Sequence, residues 1–73
     1  MASTIKKGDN GVDVVLCQQS LNRKGYPLTV DGAFGSGTEA KVKSFQEDNN
    51  LESDGIVGSK TWELLLREYN SCD

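Results

Sequence analysis

Histidine is absent from this chain of 73 residues, and proline, cysteine and aromatic residues are scarce. Histidine is the commonest base at neutral pH and the commonest zinc ligand, so its absence excludes Ser-His and Cys-His nucleophile pairs and most catalytic zinc sites. Catalysis would have to rely on carboxylates or lysine. No pair among the eleven Asp and Glu residues stands in a context that would raise one pKa by burial. We therefore expect no enzymatic activity, no cofactor and no metal.

Long apolar runs and a basic surface are also lacking. The longest apolar runs, 14–17 and 64–66, are far shorter than the roughly 20 residues that span a bilayer. The net charge is -3 and the eight Lys and Arg residues are scattered, which argues against binding to nucleic acid. Residues 1–4 have no signal-peptide pattern. These features predict no membrane insertion, and either a cytoplasmic protein or one module of a longer exported chain.

The two cysteines, Cys17 and Cys72, are too few for the disulfide scaffold of a small secreted protein. One disulfide between them is an alternative. We favour a buried free thiol at Cys17 and a second free thiol at Cys72, which lies among polar residues at the end of the chain.

Hydrophobic spacing predicts three amphipathic helices in one small domain. The first helix is predicted at 12–24, and its core-facing residues are Val14, Cys17, Gln18 and Leu21. The second is predicted at 36–50, with Thr38, Val42 and Phe45 facing the core. The third begins at Ser59, and its core-facing residues are Trp62, Leu65, Leu66 and Tyr69. The predicted N-caps are Asp9 or Asn10, Ser36 with Glu39 as a capping box, and Ser59. Gly25 is expected to end the first helix, and Asn49 or Asn50 the second.

One segment repeats at an offset of 23 residues: D-G-x-[apolar]-G-S-x-T occurs at 31–38 and again at 54–61. The pattern predicts a tight turn at Asp-Gly, an apolar residue pointing inward and a glycine with an unusual backbone angle, followed by the serine cap. Because each copy precedes a helix, we predict an all-α three-helix bundle with two Asp-Gly-x-x-Gly loops that lead into helices.

Two other interpretations of these loops are weaker. Glycine-rich turns before helices can bind phosphate, but no P-loop sequence is present. Asn50, Glu52, Asp54 and Gly55 resemble half of a calcium loop, yet Thr61 stands where the closing glutamate is needed. We expect instead that the Asp and Thr side chains of the loops hydrogen-bond their own backbone.

A longer pattern runs from about Ile5 to Leu66. It consists of Lys7-Gly8-Asp9-Asn10-Gly11, Asp13-Val14, Gln18, Leu21-Asn22, Gly25-Tyr26, Asp31-Gly32-x-Phe34-Gly35-x-x-Thr38-Glu39-Ala40-x-Val42-x-x-Phe45-Gln46 and Asp54-Gly55-x-Val57-Gly58-x-x-Thr61-Trp62. In order and spacing it resembles the peptidoglycan-binding domain, a small three-helix module attached to bacterial and phage cell-wall hydrolases. Any one of these motifs alone would be weak, and their order and spacing carry the resemblance.

The resemblance implies a left-handed three-helix domain over 5–69, preceded by a disordered or cloning-derived segment at 1–4 and followed by a tail at 70–73. It implies a monomer in the extracellular cell wall that binds peptidoglycan without catalysis and holds a linked amidase, peptidase or muramidase there. The ligand-binding residues implied are those of the two loops and the nearby Tyr26: Tyr26, Asp31, Gly32, Phe34, Thr38, Asp54 and Thr61.

Cys17 departs from the family pattern, because it stands where leucine is usual, and we expect it to be a small core residue. Val15 and Leu16 stand at positions that are usually polar, which suggests an extra contact with a neighbouring domain, a second copy or ligand. Cys72 follows the third helix, as the zinc-blocking cysteine does in metalloproteinase propeptides, and an inhibitory or protein-interaction module is the alternative function. The flanking residues lack the proline, arginine and glycine of such a switch.

Overall fold

The computed structural model describes residues 3–67, which fold into three α-helices. They are α1 (Val12–Arg23), α2 (Ser36–Asp48) and α3 (Ser59–Leu66). Within this part of the chain, backbone pairing outside the helices includes two isolated antiparallel bridges, Ile5 with Val57 and Asn10 with Ala33. The predicted all-α, three-helix fold is confirmed. Among the described residues, no helix is long and apolar enough to cross a bilayer.

The core is formed by the inner sides of the three helices, together with one side chain from each of the two loops and one from the segment before α1. Its buried apolar residues are Ile5, Val14, Cys17, Leu21, Phe34, Val42, Phe45, Val57, Trp62 and Leu65. Phe34 and Val57 are the inward-pointing residues predicted in the repeats. The prediction that Leu66 is buried is wrong, because the inner side of α3 is centred on Thr61, Trp62 and Leu65 and Leu66 lies beyond its edge, 46% exposed. Tyr69 and Cys72 lie outside the described residues.

A glycine immediately precedes each of the three helices, and the predicted side-chain caps are wrong. The N-cap residues are Gly11, Gly35 and Gly58, and none of these starts has a side-chain cap hydrogen bond. Ser36 and Ser59 are the first residues inside their helices, so their hydroxyl groups do not have the cap position that reaches back to a free N–H. The Asp9 carboxylate instead accepts the N–H of Lys6 at 3.0 Å.

The predicted ends of the first two helices are confirmed. The backbone turns left-handed at Gly25, with φ of 96°, after α1 and at Asn50, with φ of 60°, after α2. Both residue types tolerate this conformation, which is how helices commonly end.

In the repeats, the glycine with a left-handed backbone is the one in each Asp-Gly pair. Gly32 and Gly55 have φ of 78° and 75°, whereas Gly35 and Gly58, for which we predicted the unusual angle, are extended. Both turn glycines also lie against the preceding helix. A Cβ atom at Gly55 would lie 3.0 Å from Cγ of Glu39 in α2. The Asp-Gly turns are thereby positioned directly on helix surfaces.

Candidate binding surface

Each repeat contains a loop, loop 1 (residues 31–35) and loop 2 (residues 54–58), and a buried glutamine holds each of them. Gln18 of α1 is 1% exposed. Its Nε2 donates to Oδ1 of Asp31 at 3.0 Å, to the carbonyl oxygen of Ala33 at 3.1 Å and to Oγ1 of Thr38 at 3.1 Å. Its Oε1 accepts the backbone N–H groups of Asp31 at 3.0 Å and Gly32 at 2.9 Å. One side chain therefore ties loop 1 to the first turn of α2.

Gln46 of α2 does the same for loop 2 and is equally buried. Its Nε2 donates to Oδ1 of Asp54 at 3.1 Å, to the carbonyl oxygen of Ile56 at 2.9 Å and to Oγ1 of Thr61 at 3.1 Å. Its Oε1 accepts the N–H of Gly55 at 3.0 Å. We call the two glutamines with their partners the glutamine clamps.

The aspartates close the turns as predicted, and the threonines do not. Oδ1 of Asp31 accepts the N–H of Ala33 at 3.0 Å, and Oδ1 of Asp54 accepts the N–H of Ile56 at 2.9 Å. The bond from Ala33 and then the bond from Gln18 lower the pKa of Asp31 below its ordinary value of 3.8. The predicted bonds from the threonines to their own backbone are replaced by bonds from the clamps, because both threonines point inward from the first helical turn.

An open groove lies beside each loop, and the two grooves have equivalent linings. Groove 1 has a volume of about 360 Å³, and its lining includes Leu28, Thr29, Asp31, Ala33, Gly35, Gly37 and Thr38. Groove 2 has a volume of about 370 Å³, and its lining includes Leu51, Glu52, Asp54, Ile56, Gly58, Lys60 and Thr61. Each of these seven positions in groove 2 follows its counterpart in groove 1 by 23 residues. The sequence repeat is thus also a repeat of surface shape.

Tyr26 lies in a third groove, which neither loop lines. This groove of about 420 Å³ is bordered by Lys24, Tyr26, Phe45, Asp48 and Arg67, among others. The Tyr26 ring packs edge-on against Phe45, with centroids 5.6 Å apart, and its hydroxyl donates to the Asp48 carboxylate. The structure therefore separates Tyr26 from the loop residues with which the resemblance grouped it.

The other residues implied by the resemblance divide into an exposed and a buried set. Asp31 and Asp54 are exposed and Gly32 is half-buried, so all three can be reached from solvent. Phe34, Thr38 and Thr61 are buried, at 2%, 6% and 5% exposure. Phe34 is a core residue, while the two threonines are buried but also line groove 1 and groove 2.

Sequence reasoning missed the function of the glutamines. The spacing puts Gln18 on the inner side of its helix but does not reveal its bonds to a loop, and Gln46 appears only as part of the resemblance. A signal is present, because a glutamine on an apolar helix face needs several buried partners. The same residue type also recurs on the inner sides of both helices that precede a repeat.

Cys17 is a small core residue. It is fully buried with a free thiol, as predicted, and burial raises its pKa to about 12. A thiol with so high a pKa is not a nucleophile at neutral pH. Among residues 3–67, no three His, Cys, Asp or Glu side chains are arranged to hold a metal ion.

Comparison with known proteins gives one consistent family. A family model for the peptidoglycan binding domain matches residues 10–65. The spore cortex-lytic enzyme of Bacillus cereus is 41% identical over 64 residues, which are 86% of this chain and 25% of that enzyme. The spore cortex-lytic enzyme of Bacillus subtilis is 42% identical over 73 residues, covering 89% of this chain and 24% of that enzyme. The chain thus spans about a quarter of the length of these curated relatives.

A solved structure agrees with these relatives. A fused Zn-dependent amidase/peptidase/peptidoglycan-binding domain-containing protein from Clostridium acetobutylicum superimposes with a TM-score of 0.88 at 37% identity, covering 97% of this chain and 32% of that one. Family match, sequence identity and structural similarity extend over most of the described residues. The chain belongs to the peptidoglycan-binding domain family.

Proposed function

We propose that this chain binds bacterial peptidoglycan without modifying it and holds a linked wall hydrolase, an amidase, peptidase or muramidase, against its substrate. The observation that carries the proposal is the pair of equivalent open grooves, each beside a loop held rigid from within by a glutamine clamp. A shallow groove of fixed shape can bind one stretch of a long polymer, because the rest of the polymer can extend beyond the groove on both sides. Family membership supports the same function.

The proposed contacts come from the exposed side of each loop. Asp31 and Asp54 use Oδ1 for the bonds within the loops, which leaves Oδ2 for amide or hydroxyl groups of the polymer. The backbone at Gly32 and the edges of Thr38 and Thr61 extend these surfaces. Phe34 acts in this scheme only by supporting loop 1 from below, and Tyr26 offers an aromatic edge in the third groove.

We infer that Asp31 does not act as a general acid. A general acid needs a raised pKa, whereas the loop 1 bonds lower that of Asp31 and keep its carboxylate charged at neutral pH. In this proposal the linked domain carries out catalysis, and the module acts as a tethered monomer in the cell wall. Individual contacts of this kind are weak, and tethering raises the local concentration of the hydrolase on a polymer with repeated sites.

A pull-down with purified insoluble sacculi tests the proposal. The isolated domain should sediment with the sacculi in a saturable manner. The double variant Asp31→Asn/Asp54→Asn, which keeps both Oδ1 acceptors but removes both charges, should bind more weakly. The matched control Glu47→Gln/Glu63→Gln removes the same charge from exposed helix positions that line neither groove 1 nor groove 2.

The control should bind like the wild type. Recovery of the wild-type domain in the supernatant at every sacculus concentration would exclude wall binding. Sedimentation velocity on the same protein preparations, without sacculi, tests whether the domain is a monomer. Two sedimenting species would contradict a monomer.

A further inference from the structure

Groove 1 and groove 2 provide an internal comparison, because the repeat places equivalent residues around both. Four of the seven paired positions are identical: Leu28 and Leu51, Asp31 and Asp54, Gly35 and Gly58, Thr38 and Thr61. The other three differ: Thr29 becomes Glu52, Ala33 becomes Ile56 and Gly37 becomes Lys60. Every difference adds a larger or charged side chain to groove 2.

The added side chains face solvent. Glu52 and Lys60 are exposed, and Ile56 is 39% exposed. Glu63 and Arg67 form an exposed ion pair, and neither Glu52 nor Lys60 takes part in it. Groove 1 also has a lysine, Lys41, but that side chain is half-buried and belongs to the second turn of α2. Groove 2 therefore combines an exposed cation, an added anion and an aliphatic side chain.

We propose that groove 2 binds the peptide part of peptidoglycan. Lys60 pairs with a carboxylate, Glu52 with an ammonium group, and Ile56 contacts an aliphatic side chain of the stem peptide. The inference rests on the proposed wall binding and specifies which part of the polymer is recognised. In intact peptidoglycan the glycan strand consists of N-acetylated sugars without amino groups, while the stem peptides carry free carboxylates, amines and alkyl side chains. The charges of groove 2 therefore complement the peptide and have no counterpart on the sugars.

Competition against binding to sacculi distinguishes the two parts of the polymer. One competitor is a soluble stem tetrapeptide with free carboxylates and a free amine, and the other is an N-acetylglucosamine tetrasaccharide. The tetrapeptide should displace the wild-type domain and the tetrasaccharide should not. Displacement by the tetrasaccharide alone would overturn the peptide assignment and leave wall binding intact. If the wild-type domain does not bind sacculi at all, both the proposed wall binding and the peptide assignment are wrong.

A charge reversal tests Lys60 itself. Since an exposed ion pair contributes little, Lys60→Glu, which replaces attraction by repulsion, should weaken tetrapeptide binding about three- to tenfold. The matched control is Lys7→Glu, an equal charge change at an exposed position that lines neither loop groove, and it should bind like the wild type. An equal loss in the control would mean that only net charge matters, which overturns the proposal.

Two further variants locate the effect. Glu52→Gln should weaken binding of the tetrapeptide but leave binding of its N-acetylated form nearly unchanged, because acetylation removes the ammonium group. If Lys41→Glu in groove 1 weakens tetrapeptide binding as much as Lys60→Glu does, the peptide site involves both grooves and its assignment to groove 2 is wrong. Thermal unfolding followed by circular dichroism verifies that each variant is folded.

Discussion

Loop 1 and loop 2 are alike on their inner sides and different on their outer sides. Inside, each has a glutamine, an aspartate, a left-handed glycine and a threonine joined by matching hydrogen bonds. Outside, three of the seven paired groove positions differ. The inner residues satisfy backbone and side-chain polar groups that would be costly to bury unpaired, so both copies need them. The outer residues have no such requirement and can vary with the ligand.

The two repeats also differ in the residue directly after the threonine. Trp62 comes after Thr61 and is 5% exposed in the core, whereas its counterpart Glu39 is half-buried and lies against Gly55. Both repeats supply a groove and a core side chain, but the second is followed by a large core residue, while the first is followed by part of the helix surface on which loop 2 rests.

The largest expected effect is on Trp62. Trp62→Ala should lower the free energy of unfolding by about 3–5 kcal/mol, because it empties a core site. It also removes the 2.8 Å bond from Nε1 to the carbonyl oxygen of Ser3. Urea denaturation followed by circular dichroism measures the loss, with Glu39→Ala as the matched change in the first repeat. A variant that is as stable as the wild type but fails to bind sacculi would place the ring in the binding site.

The glutamine clamps come next and test whether the two inner sides are equivalent. Gln18→Ala and Gln46→Ala should each cost about 2–3 kcal/mol, since each leaves several buried polar groups without partners. The control is Gln19→Ala, the exposed neighbour of Gln18, which should change stability by less than about 0.5 kcal/mol. If one clamp variant proves as mild as the control, the corresponding loop is held by other contacts.

The helices were predictable because their signals are local. The apolar spacing of Val14, Cys17 and Leu21 and the stop at Gly25 depend on residues within a few positions of one another. The N-cap residues of the helices could not be predicted from local sequence signals. Ser36 with Glu39 fits a capping box, but the same letters also fit a helix whose N-cap is the preceding Gly35.

The clamps and the paired grooves depend on how the elements pack. Gln18 binds residues that lie 13 to 20 positions away along the chain, and that distance is bridged only after α1 and α2 have come together. The repeat itself predicted two similar loops. It could not predict that Tyr26 would lie in a third groove against Phe45, since that depends on the relative positions of the ends of the helices.

A smaller effect, of opposite sign, is expected from making groove 1 more like groove 2. Gly37→Lys should raise the free energy of unfolding by at most about 0.5 kcal/mol, because replacing a helical glycine is favourable whereas a cation in the first turn of α2 opposes the helix dipole. Its backbone is not left-handed, and a Cβ atom there would meet nothing within 4 Å. The contrasting variant is Gly55→Ala, which should destabilise because Gly55 is left-handed and crowded by Glu39.

Chemical denaturation of Gly37→Lys and Gly55→Ala measures whether each change raises or lowers the free energy of unfolding. A loss of stability in Gly37→Lys would show that the first turn of α2 cannot carry the side chain that α3 carries at Lys60. Substitutions on the outer side of loop 1 would then affect the residues on its inner side. The two sides could not vary independently in this repeat.

The smallest effect concerns the charge on Asp31, which lies on the boundary between the inner and outer sides of loop 1. The bonds from Ala33 and Gln18 lower its pKa below 3.8 in the folded protein, so the folded state favours the ionised form. This contribution to stability is present above about pH 4 and is lost as the pH falls through the lower, folded-state pKa. Asp31→Asn removes the titrating group but keeps an oxygen that can accept both bonds. The stability advantage of the wild type over Asp31→Asn should therefore shrink between about pH 4 and pH 2 in urea titrations. An advantage that stays constant or grows on acidification would mean that the loop 1 bonds do not depend on the charge of Asp31.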